Sequence, residues 1–116
     1  GATIFSSVAI ALEAGFLFGA VYMLTHRLAM CVGLHAAWNF AQGGIFGVAV
    51  SGKSAKGWMQ SGLHGPDWLT GGVFGAEASL VAVLILVAVG AYIFWLVKQR
   101  GLLKLPYWKA NLSLAF

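Results

Sequence analysis

The sequence predicts an all-α membrane protein with about three transmembrane helices and a long glycine-rich loop between the second and the third. Two observations support this fold class. Hydrophobic side chains make up 60% of the 116 residues and charged side chains only 9%, a composition outside that of soluble domains. The apolar residues also gather into three runs, each close to the ~20 residues that a helix needs to cross a hydrocarbon core of ~30 Å.

The three apolar runs cover residues 4–24, 28–50 and 80–97. Polar residues interrupt the first two runs, namely Glu13, His35, Asn39 and Gln42. The third run contains no charged residue. Glu77 precedes it and Lys98 follows it, which suits the two ends of a helix dipole. We therefore expect residues 1–116 to form a single membrane domain.

Two segments outside the runs have their own predicted roles. Residues 51–76 contain seven glycines and Pro66, and the segment is too polar to span a membrane and too long for an ordinary connection. Its tryptophan and leucine residues are too apolar for a solvated linker, so we expect a functional loop or lid that folds back on the helices. Residues 101–116 mix apolar and basic side chains and are predicted to form an interfacial tail.

The basic residues predict the orientation in the membrane. If the turn at 25–27 and the tail are cytoplasmic, that side holds five of the seven basic residues: Arg27, Lys98, Arg100, Lys104 and Lys109. Only Lys53 and Lys56 lie on the other side, which favours a cytoplasmic carboxy terminus. Seven basic residues cannot form the dense phosphate-neutralising surface that nucleic-acid binding needs. The expected partners are the lipid bilayer and other membrane segments. The single cysteine, Cys31, excludes an internal disulfide.

His35, Asn39 and Gln42 stand at i, i+4 and i+7, which places them on one face of the predicted second helix. Polar side chains at membrane depth are costly and usually point toward a partner, a cavity or a ligand. A neutral imidazole can bind a metal, accept a proton or orient a water, so His35 is the leading candidate. Hydrogen bonding between helices is the structural alternative, and the spacing does not decide between the two.

Glu13 is the one acid inside a predicted span, which makes it a candidate functional residue with a partner to be named. Its mid-helix position favours His35 over Arg27 as that partner. A structural hydrogen bond, or a partner outside the chain, is an equal alternative. His26 and His64 are expected to be solvated, because neither has a second ligand at useful spacing. Small residues of the first helix, Ala11, Gly15 and Gly19, are spaced for close helix approach.

Three segments in this order carry a resemblance to a known family: THRL at 25–28, GLHAAWNFAQGGIFGVAVSG at 33–52 and GPDWLTGGVFGAEASL at 65–80. They are similar to the carboxy-terminal part of CPBP proteins, intramembrane metalloproteases related to the CaaX prenyl endopeptidases and to bacteriocin self-immunity proteins. The resemblance covers nearly the whole chain. It implies the carboxy-terminal half of a CPBP-like helical bundle in a bacterial inner (cytoplasmic) membrane.

The resemblance also implies roles for the His-x-x-x-Asn element. His35 would orient or bind the catalytic water or a zinc-like divalent metal, and Asn39 would stabilise the developing oxyanion. The family's other two motifs, Glu-Glu-x-x-x-Arg and Phe-x-x-x-His, are absent: the sequence has no Glu-Glu pair, and no phenylalanine stands four residues before any of its histidines. The chain alone is therefore predicted to be inactive.

Three hypotheses remain open at this point. The chain is the carboxy-terminal half of an intramembrane protease whose other motifs lie upstream, which fits a sequence that begins at Gly1 without Met. Alternatively, it is a non-catalytic structural or accessory subunit of a larger membrane complex. In the third hypothesis His35 is the axial ligand of a tetrapyrrole, because Gly33, Ala36 and Ala37 leave room for a flat ring.

Overall fold

The computed structural model describes residues 3–103, and all regular elements in this range are helices apart from one isolated β-bridge between Val50 and Lys53. The all-helical prediction is thus confirmed for this part of the chain. The predicted interfacial tail lies outside the described residues from position 104 onward.

Three long helices form the bundle. The first helix, Ile4–Thr25, consists of α-helical Ile4–Ile10, a π-helical turn at Ala11–Gly15 and α-helical Phe16–Thr25. The second helix is α-helical over Leu28–Asn39 and π-helical over Phe40–Ile45. The last helix is Leu80–Gln99. Short helical turns lie between the second and last helices, at Asp67–Thr70, Gly72–Phe74 and Ala76–Ala78.

The first and last helices are long and apolar enough to cross a membrane. Both expose much of their apolar surface, as shown by Ile4 at 87% and Leu84 at 61% exposure. A core helix of a soluble protein would bury such side chains, whereas exposed apolar flanks suit a lipid environment. The second helix does not meet the same criteria of length and apolarity, and it ends at Ile45 rather than at residue 50. Three spans are therefore not confirmed.

Local sequence signals fix the ends of the helices. Thr3 and Ser6 form a capping box at the start of the first helix, which satisfies backbone N–H groups that a helix leaves free. His26 ends this helix in the left-handed conformation, with φ 52°. At the last helix, the hydroxyl of Ser79 accepts a hydrogen bond from the Ala82 N–H at 3.1 Å. Ser79 is thus the cap, and Glu77 lies in the short helical turn that precedes the helix.

The first helix packs along the last helix, and the two are in close contact at Gly90. A Cβ atom at Gly90 would lie 2.8 Å from the Phe16 ring and 3.4 Å from the Leu17 Cα. By contrast, a Cβ atom at Gly15 or Gly19 would meet nothing within 4 Å. The small residues predicted to mediate close approach on the first helix are therefore not the ones that do so, and the glycine of the last helix has this role.

A small apolar core lies beside this contact. It consists of Leu17, Val21 and Cys31, with Phe18, Leu86 and Ile93 packed against it. The Cys31 thiol also donates a hydrogen bond to the Phe18 carbonyl oxygen at 3.4 Å. This core joins all three long helices, so it fixes where the second helix stands relative to the other two.

Replacing Gly90 with leucine is expected to destabilise the bundle. The larger side chain would displace the Phe16 ring and push the first helix away, and overpacking of this kind costs about 1–3 kcal/mol. The measurement is thermal unfolding of the purified protein in mild detergent. Gly19→Ala is the matched control, because that position has open space, and its unfolding temperature should stay the same or rise slightly. Equal unfolding temperatures for Gly90→Leu and the wild type would contradict this packing.

Candidate functional site

A cavity of about 100 Å³ lies between the first, second and last helices. Apolar side chains of all three helices form most of its wall, among them Leu17, Phe18, Leu34 and Leu86. The polar residues that line it come from distant parts of the sequence: Glu13, His35, Asn39, Ser51 and Glu77. The fold therefore collects five chemically active groups in one small, otherwise apolar space.

His35 and Asn39 reach this cavity from the second helix, one turn apart. Both residues also line a larger and more open cavity of about 430 Å³, to which Phe18 of the first helix contributes as well. The imidazole of His35 lies beside the Phe18 ring, with centroids 5.6 Å apart and a tilt of 46°. The structure thus places the two predicted site residues together. Their catalytic roles stay predictions, since geometry alone does not test them.

Gln42, the third polar residue of the predicted face, does not join them. It lies in the π-helical turn Phe40–Ile45, where it is 6% exposed. A π-helix bonds i to i+5 rather than i+4, which shifts Gln42 off the face that regular α-helical spacing predicts. Its amide nitrogen donates to the Ala49 carbonyl oxygen at 2.5 Å. Its side chain lines a separate apolar cavity of about 330 Å³.

Glu13 is among the most deeply buried side chains of the described residues, at 2% exposure. It lies at the centre of the π-helical turn Ala11–Gly15, and π turns inside α-helices occur frequently at functional sites. Its Oε2 atom is buried and has no hydrogen-bond partner within residues 3–103. Neither predicted partner, His35 or Arg27, bonds this oxygen. The other acid that lines this cavity is Glu77.

Glu77 is held by Ser51. The Glu77 Oε1 atom accepts the Ser51 backbone N–H at 2.5 Å and the Ser51 hydroxyl at 3.0 Å. Ser51 adopts a left-handed backbone conformation, with φ 49°, which is uncommon for a residue other than glycine. This contact was not predicted from the sequence, because 26 positions separate the two residues. The available signal in the sequence was Glu77 itself, an acid with no partner nearby in the sequence, because such an acid needs hydrogen-bond donors once it is buried.

Backbone hydrogen bonds hold the loop at 51–76 in place at its base and along one side. Gly52 donates its N–H to the Phe74 carbonyl oxygen at 2.7 Å, next to the pair of Ser51 and Glu77. Farther along, Trp58 and Met59 donate to carbonyl oxygens of the π-helical end of the second helix, at 3.0 and 2.8 Å. The loop backbone therefore lies against the helices. The indole of Trp58 nevertheless remains 87% exposed.

No group of three or more His, Cys, Asp or Glu side chains within the described range is placed to hold a metal ion. Structural and catalytic zinc sites have at least three protein ligands. His35 supplies at most one, so the described residues alone do not fit the divalent metal that the resemblance implies. The other two histidines, His26 and His64, do not line the cavity.

The geometry defines a helical, membrane-compatible protein with a polar cavity between its helices. Residues 2–41 match the family model described as type II CAAX prenyl endopeptidase Rce1-like. The match covers about a third of the chain and includes Glu13, His35 and Asn39. It supports a relationship to the CAAX protease family and agrees with the CPBP resemblance of the sequence. Searches of curated proteins and of solved structures gave no match.

Replacing Glu77 with alanine is expected to loosen the loop. The Ser51 N–H and hydroxyl would lose their acceptor, which costs about 1–3 kcal/mol for a buried donor. Lys53 and Lys56 lie in the loop, so limited trypsin digestion of the protein in detergent should cut there faster than in the wild type. Glu77→Gln is the control, because its amide oxygen still accepts both hydrogen bonds. Equal digestion rates for all three proteins would refute the proposed tie.

Proposed function

We propose that this chain forms part of the active-site wall of an intramembrane endopeptidase related to the CAAX proteases. The observation that carries the proposal is the family match over residues 2–41, which includes two residues of one polar cavity, His35 and Asn39. The reaction class is hydrolysis of a peptide bond in a polypeptide that reaches this cavity within the membrane.

The two residues suit different parts of that reaction. Peptide hydrolysis needs an attacking water from which a proton is withdrawn. It also needs a hydrogen-bond donor to the carbonyl oxygen, which becomes negatively charged. The imidazole of His35 can orient the water through a hydrogen bond. The Asn39 side-chain amide can donate to the oxyanion, and loss of one such donor costs about 10² to 10³ in rate. His35 is exposed in the described part of the chain, so exclusion of bulk water, which would strengthen both interactions, requires helices from outside the 116 residues.

The general base and the remaining motifs belong, in this proposal, to a segment outside the 116 residues, either in a longer gene product or in a partner chain. The surface of the second helix supports this arrangement. Its apolar side chains are widely exposed, for example Leu28 at 68%, Val32 at 60% and Phe40 at 60%. Further helices packed on this side would cover them and close the more open cavity beside His35. The chain alone would not cleave peptides.

Replacing His35 with alanine in the full gene product should abolish cleavage. The assay uses protein reconstituted in phosphatidylcholine vesicles and a prenylated CaaX peptide, the substrate class that the family's description names. Asn39→Ala should lower kcat by about 100-fold or more, because the oxyanion loses its donor. His64→Ala, an exposed loop histidine, serves as the control and should retain full activity. Cleavage by the His35→Ala protein at the wild-type rate would rule out this function.

We also propose that the second helix is a third span and that the carboxy terminus faces the cytoplasm of a bacterial inner membrane. The polar residues of this helix explain its lower apolarity, because they line cavities rather than lipid. The excess of Lys and Arg on one side of the membrane sets the orientation of the three helices.

Reporter fusions test this topology. With three spans, alkaline phosphatase inserted after Gly62 in the loop should be active, because the loop lies outside the cytoplasm. Green fluorescent protein fused after residue 116 should fluoresce, because it lies inside. A second alkaline phosphatase insertion, after His26 in the turn, reports on the second helix: with three spans it should be inactive while the loop insertion is active, because the helix separates the two sites. With two spans the turn and the loop lie on the same side, so equal phosphatase activity at the two insertions would contradict the third span.

A further inference from the structure

The cavity holds two of the three acids of the chain. Glu13 is 2% exposed and Glu77 is 4% exposed, and both line the cavity beside His35 and Asn39. Taking a carboxylate out of water is costly unless a cation or hydrogen-bond donors compensate it. The rest of the wall is largely apolar. Each of the two acids therefore calls for hydrogen-bond donors or a positive group.

Among the described residues, Glu77 has donors but no cation or donor is bonded to Glu13 Oε2, although His35 lines the same cavity. Ser51 already directs its N–H and its hydroxyl to Glu77 Oε1, so neither is available to Glu13. The Oε2 atom of Glu13 has no partner within residues 3–103. Arg27 lies at the far end of the first helix, fourteen residues and ~20 Å along the helix axis from Glu13. Glu13 thus lines the cavity, and its Oε2 atom is a buried acceptor to which no described residue donates.

The size of the cavity and the ligand groups that line it indicate what kind of cation fits. A volume of about 100 Å³ exceeds the ~30 Å³ share of one water molecule, so it accommodates an ammonium group with its nearest methylenes. A divalent ion is disfavoured, because no group of three ligand side chains is placed for it within the described residues. A lysine ammonium has three rotatable donors on a flexible apolar stem. The stem matches the apolar wall, and the donors match the two acids.

We propose that Glu13 and Glu77 form a subsite for the ammonium group of a lysine side chain in the polypeptide substrate. The inference rests on the proposed function, because it places a substrate residue next to His35 and Asn39. The bound lysine would anchor the substrate at one end of the cavity and thereby hold a neighbouring peptide bond at the two site residues. Glu13 and Glu77 are thus specificity-determining residues that bind the substrate away from the bond that breaks.

The test compares two fluorescein-labelled apolar peptides that are identical except for one central lysine or norleucine. Binding to the full gene product in phosphatidylcholine nanodiscs is measured by fluorescence anisotropy, which needs no cleavage. The wild type should bind the lysine peptide at least about tenfold more tightly, which corresponds to ~1.4 kcal/mol. In Glu13→Gln the ratio should fall to within about twofold, and in Glu77→Gln it should also decrease. Asp67→Asn removes the third acid, which is outside the cavity, and should keep the preference.

Several results would overturn the subsite. These are equal affinity of the wild type for the two peptides, failure of both to bind, an unchanged preference in Glu13→Gln, and loss of the preference in Asp67→Asn. Thermal unfolding of Glu13→Gln near the wild-type temperature confirms that the variant is folded. If Glu13→Gln is markedly less stable but keeps the preference for the lysine peptide, another helix of the protein supplies the cation to Glu13. That result also overturns the proposal.

His35→Ala separates this inference from the proposed function. It should lose cleavage and keep the preference for the lysine peptide in binding. If the wild type prefers the lysine peptide but cleaves nothing, the subsite stands and the protease assignment fails. If His35→Ala loses cleavage but the wild type shows no lysine preference, the protease assignment stands and the subsite fails.

Discussion

The close contact between the first and last helices is the constraint on which the rest of the structure depends. Because Gly90 has no side chain, the Phe16 ring lies directly against the backbone of the last helix. This contact sets the depth at which Glu13 enters the bundle and brings it into one cavity with Glu77, which immediately precedes the last helix. The second helix forms the third side of the bundle, where Cys31 packs on Leu17 and Val21.

The second organising contact is between the loop and the bundle. A backbone N–H and a hydroxyl of Ser51 converge on one carboxylate oxygen of Glu77. Charge-assisted hydrogen bonds of this kind are about twice as strong as neutral ones. They hold Ser51 in a conformation that serine rarely adopts, so the base of a glycine-rich loop is fixed. The loop thereby contributes one of the residues that line the cavity.

The sequence predicts the helical class and the first and last helices well, because long apolar runs are local signals. It also predicts that His35 and Asn39 share a face, since α-helical spacing holds up to Asn39. It misplaces Gln42, because the onset of a π-helical turn depends on packing with the loop. It misses the contact of Glu77 with Ser51 and the grouping of Glu77 with Glu13, which depend on tertiary structure. The same limitation explains why Gly90, and not the small residues of the first helix, makes the close approach.

The π-helical turn at Ala11–Gly15 has a consequence for the geometry of the whole first helix. Each residue of an α-helix advances by ~100° around the axis, so the extra residue in the π turn sets the rotational phase of Ile4–Ile10 relative to Phe16–Thr25. Shortening the turn by one residue would leave the second half in contact with the last helix and rotate the first half by more than a quarter turn. The side that the amino-terminal half turns toward lipid therefore depends on this one turn.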